Sequence, residues 1–203
     1  MTKIRSKNEA KRNQILTAAT ELFTENGYLA TSMSQIAQHA DVSKQTVYSH
    51  FGSKEDLFAA SIANKCDAEI NIDVDTLDFS NLPNTFLLVA KRFFDMITSK
   101  EALAVHKICA FESKTYPQLS ELFYEAGPER LTDEMTKLME KCHQLGLLKI
   151  EKPRHAAIQF LNLMKGEGWM RCEFNTKKQL TESEVMDYLS SCVDMFMRAY
   201  SAQ

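Results

Sequence analysis

Three serines, Ser32, Ser43 and Ser53, each stand just before an apolar-periodic stretch, and their closeness constrains the chain more than any other feature. Ser32-Met33-Ser34-Gln35 reads as a capping box, in which Ser32 accepts from a backbone N–H and Gln35 reaches back to the cap. The helix it opens carries Met33, Ile36, Ala37 and Ala40 on one side. Ala40 to Ser43 then makes a tight turn, with Ser43 as the next N-cap. That third helix ends near Phe51-Gly52, and Ser53 caps a fourth with Asp56 at its third position. Capped starts this close together specify short helices meeting at sharp angles, the signature of a helix-turn-helix.

The rest of the chain also reads as helix. Six glycines and four prolines are too few for the regular turns of a β-fold, and no segment sustains period-two alternation. A first helix spans about 8–26, with Ile15, Ala18, Ala19, Leu22 and Phe23 on one face and Gly27 as a left-handed stop. The fourth continues to about Ile70, and the acidic stretch from Asn71 to Asn81 follows as a solvated loop with no reason to bind a cation. Later helices are expected over about 83–99, 101–114, 117–145, 153–174 and 182–201, with Gly127-Pro128 kinking or breaking the third of these. The expected fold is all-α with about nine helices: a helix-turn-helix domain over 1–54 and a helical effector-binding and dimerisation domain over 55–203.

Composition excludes several classes. The chain is 44% hydrophobic and 25% charged, ordinary for a globular protein, and no apolar run nears the roughly 20 residues that span a bilayer. Its basic start lacks the apolar core of a signal peptide, so a cytoplasmic protein is expected. Cys66, Cys109, Cys142, Cys172 and Cys192 form no CxxC pair and sit in helical stretches, which points to packed thiols rather than a zinc site. The chain carries no HExxH, GxSxG, P-loop or dinucleotide motif, so no enzyme, no cofactor and no metal is expected. The net charge of −3 conceals an asymmetry. Residues 1–54 hold seven bases (Lys3, Arg5, Lys7, Lys11, Arg12, Lys44, Lys54) against four acids, a net +3, which leaves −6 for the remainder. A basic front on an acidic body fits a polyanionic partner, and equally a solvated tail.

On a wheel at about 100° per residue, Val47 and Phe51 of the third helix point inward with Val42 of the turn. Gln45 and Ser49 then face directly away, flanked by Thr46 and Tyr48, and this outer face holds no acid. The second helix of a helix-turn-helix lies among base edges and phosphates, where such a face is required. Gln45 suits a bidentate contact to adenine, and Thr46 a thymine methyl or a hydroxyl contact. Tyr48, His50 and Lys44 suit the phosphates alongside. Thr31 and Ser32 stand at the start of the second helix and Lys54 at the start of the fourth, where free N–H groups favour an anion. If Lys54 donates to a phosphate, removing it lowers the salt dependence of binding.

The run ILTAATELFTENGYLATSMSQIAQHADVSKQTVYSHFGSKEDLF, from Ile15 to Phe58, resembles the TetR family of bacterial transcriptional regulators. The resemblance implies a homodimer on a palindromic double-stranded DNA operator, usually repressing transcription. It carries DNA contact onto Thr31, Lys44, Gln45, Thr46, Tyr48, Ser49, His50 and Lys54. At Gln45 the family often has glycine, so a candidate base reader is added here.

Beyond Ala59 the resemblance fades to helix number and general pattern. The 153–174 helix is apolar over most of its circumference, and the 182–201 helix over an arc of about 140°. A second copy of the chain, meeting Phe160, Leu161, Met164, Val185, Leu189, Cys192 and Phe196, is the natural cover, and a single well-packed core is the alternative. TetR-like proteins commonly hold an effector among the middle helices. The candidates for a small apolar or aromatic effector are Phe86, Phe93, Met96, His106, Cys109, Phe111, Phe123, Met139 and Trp169, although such stripes also serve simply as core. Two readings of the body stand: an effector-released repressor, or a DNA-bound factor that docks another protein.

Overall fold

The computed structural model describes residues 2–70, 72 and 76–202, with side chains from Asn8 onward. The side chains of Lys3, Arg5 and Lys7, and residues 71 and 73–75 of the expected acidic loop, lie outside the described residues. Ten α-helices follow one another: α1 (Thr2–Ala30), α2 (Met33–His39), α3 (Lys44–Phe51), α4 (Lys54–Glu69), α5 (Leu82–Thr98), α6 (Lys100–Glu112), α7 (Pro117–Tyr124), α8 (Arg130–Gln144), α9 (Pro153–Glu173) and α10 (Glu182–Ala199). The expected 117–145 helix is the pair α7 and α8. They are joined through a π-helical turn, Glu125–Glu129, that contains both Gly127 and Pro128. Counting that pair as one element gives nine α-helical elements among the described residues. Pro128 has no N–H to give the ladder, and a wider turn accommodates the loss. No described helix is long and apolar enough to cross a membrane.

The helices fall into two compact units, residues 1–65 with 100–127, and residues 66–99 with 128–203. In the first, α1 runs well before the expected start at Asn8 but is broken where expected, at Gly27 (φ 79°, ψ 165°). Only glycine adopts that left-handed backbone at no cost. Ile15, Leu16, Ala18, Ala19 and Phe23 of α1 share one core with Met33, Ile36, Ala37, Val47, Phe51, Leu57 and Phe58. Cys109 of α6 and Leu119 of α7 complete it. Phe23, Tyr28 and Phe58 form an aromatic cluster, with ring centroids 5.0–5.8 Å apart.

In the second unit, Phe86 of α5, Phe160 of α9 and Phe196 of α10 meet at centroid distances of 5.1–5.8 Å, and Met135, Leu138, Met139 and Cys142 of α8 are buried. The helix α9 is not continuous: Gly166 has φ 46° and ψ −159°. Beside the break, the Tyr188 hydroxyl of α10 donates to the Leu163 carbonyl at 2.9 Å. A β-carbon on Gly166 would lie 2.4 Å from the Tyr188 ring. Gly166→Ala is therefore expected to cost about 2–4 kcal/mol through strain and overpacking. Urea unfolding at unchanged m-value measures it, and a loss below about 0.5 kcal/mol would contradict the packing described.

Candidate nucleic-acid interface

The surface built by α2, α3 and the ends of α1 and α4 is set by caps. At Ser32 both halves of the capping box form: Gln35 N–H donates to Ser32 Oγ at 3.3 Å and Ser32 N–H to Gln35 Oε1 at 2.8 Å. The helix α2 ends in a Schellman motif, with Val42 N–H donating to the Ala37 carbonyl at 2.9 Å. Asp41 takes the left-handed position (φ 49°) that motif needs. Aspartate tolerates it better than most side chains. Ser43 then caps α3, accepting from Thr46 N–H at 3.1 Å.

Val47 and Phe51 are buried, which fixes the rotation of α3. Lys44, Gln45, Tyr48 (43% exposed) and Ser49 lie on its open side, and Thr46 and His50 are half-buried at its edges. The exposed face is acid-free. The Lys44 ammonium lies 5.8 Å from the centre of the Tyr48 ring. Thr46 and Ser49 are partly committed locally: the Thr46 hydroxyl pairs with Ser43 Oγ at 2.8 Å, and Ser49 Oγ donates to the Thr46 carbonyl at 2.8 Å. In the sequence Arg12 stands out only as part of the basic front. Its guanidinium sits 5.2 Å over the Phe51 ring, which brings a cation to the end of α3. No local pattern could have signalled that long-range contact.

Two expected contact residues are placed differently. Thr31 does not present its side chain: it is 2% exposed, and its hydroxyl donates to the carbonyls of Leu22 (3.1 Å) and Gly27 (2.8 Å). Lys54 Nζ donates to the carbonyls of Tyr28 (2.9 Å) and Thr31 (3.1 Å) and lies 4.1 Å from the Tyr28 ring centre. Desolvation holds its pKa below the usual lysine value, against a weaker opposing pull from Glu55. The Tyr28 hydroxyl donates to Glu55 Oε1 at 2.7 Å. Burial first, and then this bond, raises the Tyr28 pKa; the same bond is the main cause that lowers that of Glu55.

The nine effector candidates are divided between the two units. Phe86, Phe93, Met96, Met139 and Trp169 belong to the second unit, whereas His106, Cys109, Phe111 and Phe123 belong to the first. Phe86 is spent in the Phe160–Phe196 packing, and Phe111 is 86% exposed, so it lines no interior. Burial pushes the Cys109 thiol up to about 12, which keeps it protonated. The seven residues expected at a dimer contact all lie inside the second unit. Phe160, Leu161, Met164, Val185, Leu189, Cys192 and Phe196 are all buried within the single chain. Neighbouring α5, α8 and each other already cover α9 and α10, and the apolar side chains these two helices leave open include Ile158 (40% exposed), Tyr188 and Met195 (46%).

Residues 15–61 match the domain described as bacterial regulatory proteins of the tetR family, and residues 85–202 match the C-terminal domain of AefR-like transcriptional repressors. HbdR, an HTH-type transcriptional regulator of Aromatoleum sp. (strain CIB), is 44% identical over 59 residues, 29% of this chain and 26% of HbdR. The match thus spans about a quarter of that relative's length. Among solved structures, the flavonoid-responsive regulator FrrA is 32% identical with a TM-score of 0.74, covering 96% of this chain and 99% of FrrA. A TetR-family transcriptional regulator from Mesorhizobium loti MAFF303099 is 25% identical with a TM-score of 0.79, covering 96% and 98%.

The Tyr28–Glu55 bond has a pH signature. Because the folded pKa of Glu55 is lowered, its contribution is present above its unfolded value and lost as pH falls through the folded one. Tyr28→Phe removes the main cause. The stability gap between the two proteins should be full at neutral pH and shrink below about pH 4. A gap that stays constant from neutral pH down to about 3 would contradict the assignment.

Proposed function

We propose, for a chain that belongs to the TetR family of transcriptional regulators, that it is a repressor binding a palindromic operator as a homodimer and releasing it when a small apolar or aromatic effector binds the C-terminal unit. One observation carries the DNA half of this reading: the open face of α3 offers Lys44, Gln45, Tyr48 and Ser49 with no acid among them. Gln45 reads an adenine edge, and Thr46 and Ser49 add hydroxyls beside it. Lys44, Tyr48, His50 and the exposed Ser32 hold the flanking phosphates, and Arg12 joins them from α1. The recognition helices of two copies must stand about 34 Å apart, one turn of duplex, or a multiple of it.

Since the residues first assigned to the dimer contact are core, the proposed contact uses the outer faces of α9 and α10, with Ile158, Tyr188 and Met195 in it. The repressor sense is supported by the AefR-like match over 85–202, and an aromatic effector by the likeness to FrrA, whose name describes response to flavonoids. Phe93, Met96, Met139 and Trp169 of the second unit are the side chains proposed to meet it. Release follows from a two-state equilibrium, in which effector binds better to the state whose paired α3 helices do not fit the operator.

Selection of duplexes from a random pool, followed by gel shift with apolar and aromatic compounds, tests the whole reading. A palindromic site released by such a compound supports it. A site released by none, but bridged to another protein, would replace the effector half with a docking role. Gln45→Ala should relax preference at one base pair per half-site by about 1–3 kcal/mol. An unchanged ranking of operator variants would remove Gln45 as a base reader.

A further inference from the structure

We infer that Lys54 acts on DNA binding as a positioning residue: its ammonium clamps the broken end of α1 to the start of α4 and is not a phosphate contact. The inference rests on the DNA reading above and changes the role of one residue within it.

Around the break at Gly27, just ahead of α2, two side chains donate to four backbone carbonyls. The Thr31 hydroxyl takes the carbonyls of Leu22 and Gly27, and the Lys54 ammonium those of Tyr28 and Thr31. Two of the three ammonium donors are thereby used, and the Tyr28 ring face covers the cation at 4.1 Å. The next residue, Glu55, holds the hydroxyl of that same tyrosine. Consecutive residues of α4 thus grip Tyr28 at its carbonyl, its ring and its hydroxyl. Swinging Lys54 out to a phosphate would break both carbonyl bonds and the ring contact together. The Thr31 carbonyl belongs to the peptide that leads straight into the Ser32 cap, so this grip sets where α2 begins. The Schellman turn at Asp41 passes that placement on to α3.

The test compares Lys54→Met with Lys44→Ala on the full-length protein and a selected operator duplex, across a series of salt concentrations. Lys44→Ala should lower the slope of log K against log salt by about 0.9, one phosphate. Lys54→Met should weaken binding by roughly tenfold or more with the wild-type slope, the mark of lost geometry rather than a lost contact. In the free protein it should also speed amide exchange at Ser32 to Gln35, while exchange in the α1 core stays slow. A slope lowered by about 0.9 in Lys54→Met, or exchange at Ser32 to Gln35 equal to wild type, would overturn the clamp. If Lys54→Met does not fold, Thr31→Val decides. Its side chain is buried, so weaker binding at an unchanged slope supports the clamp, and wild-type affinity overturns it. A wild-type protein that binds no duplex would sink the DNA reading itself. The exchange comparison in the free protein would still judge the clamp.

Discussion

Val47 and Phe51 lie one turn apart on α3, and their burial in the core shared with α1, α2 and α4 is the interaction on which the surface depends. Helices of seven and eight residues do not persist alone in water, because nucleation consumes what few hydrogen bonds return. Burying each such side chain contributes about 1.5–3 kcal/mol, several times what one cap supplies in a peptide host. The caps at Ser32 and Ser43 decide where these helices begin, and the two apolar anchors decide which way α3 is turned. With that rotation set, Lys44, Gln45, Tyr48 and Ser49 have no option but to face outward.

A second constraint operates at the other end of the motif. At the broken helix end at Gly27, Thr31 and Lys54 donate to backbone carbonyls that flank the break. A similar arrangement recurs in the second unit, where Gly166 breaks α9 and Tyr188 donates to the Leu163 carbonyl beside the break. In both places glycine introduces the break, and a polar side chain from another helix donates to a carbonyl beside it.

The helices, the three serine caps, the Gly27 stop and the trouble at Gly127-Pro128 were legible in the sequence, because each is written in local spacing or local backbone chemistry. What local patterns could not say is which neighbour covers a given face. The wide apolar arcs of α9 and α10 marked Phe160, Leu189 and Phe196 as buried, and within the chain they are, with Phe160 and Phe196 packed on Phe86 of α5 and on each other. The carbonyl partners of Thr31 and Lys54 were not legible, because they depend on how α1, α2 and α4 come together. Phe111 sits on a half-buried helix, and its exposure follows from packing that no periodicity encodes.

The most direct measurement of the central claim is a backbone amide titration of the protein with its selected duplex, followed by nuclear magnetic resonance. If the outward face of α3 meets the groove, shifts should concentrate at Lys44 to His50 and at Ser32 to Gln35, with the outer face of α10 left unmoved. Tight binding with α3 undisturbed would contradict it, and would place the DNA on a different surface of the molecule.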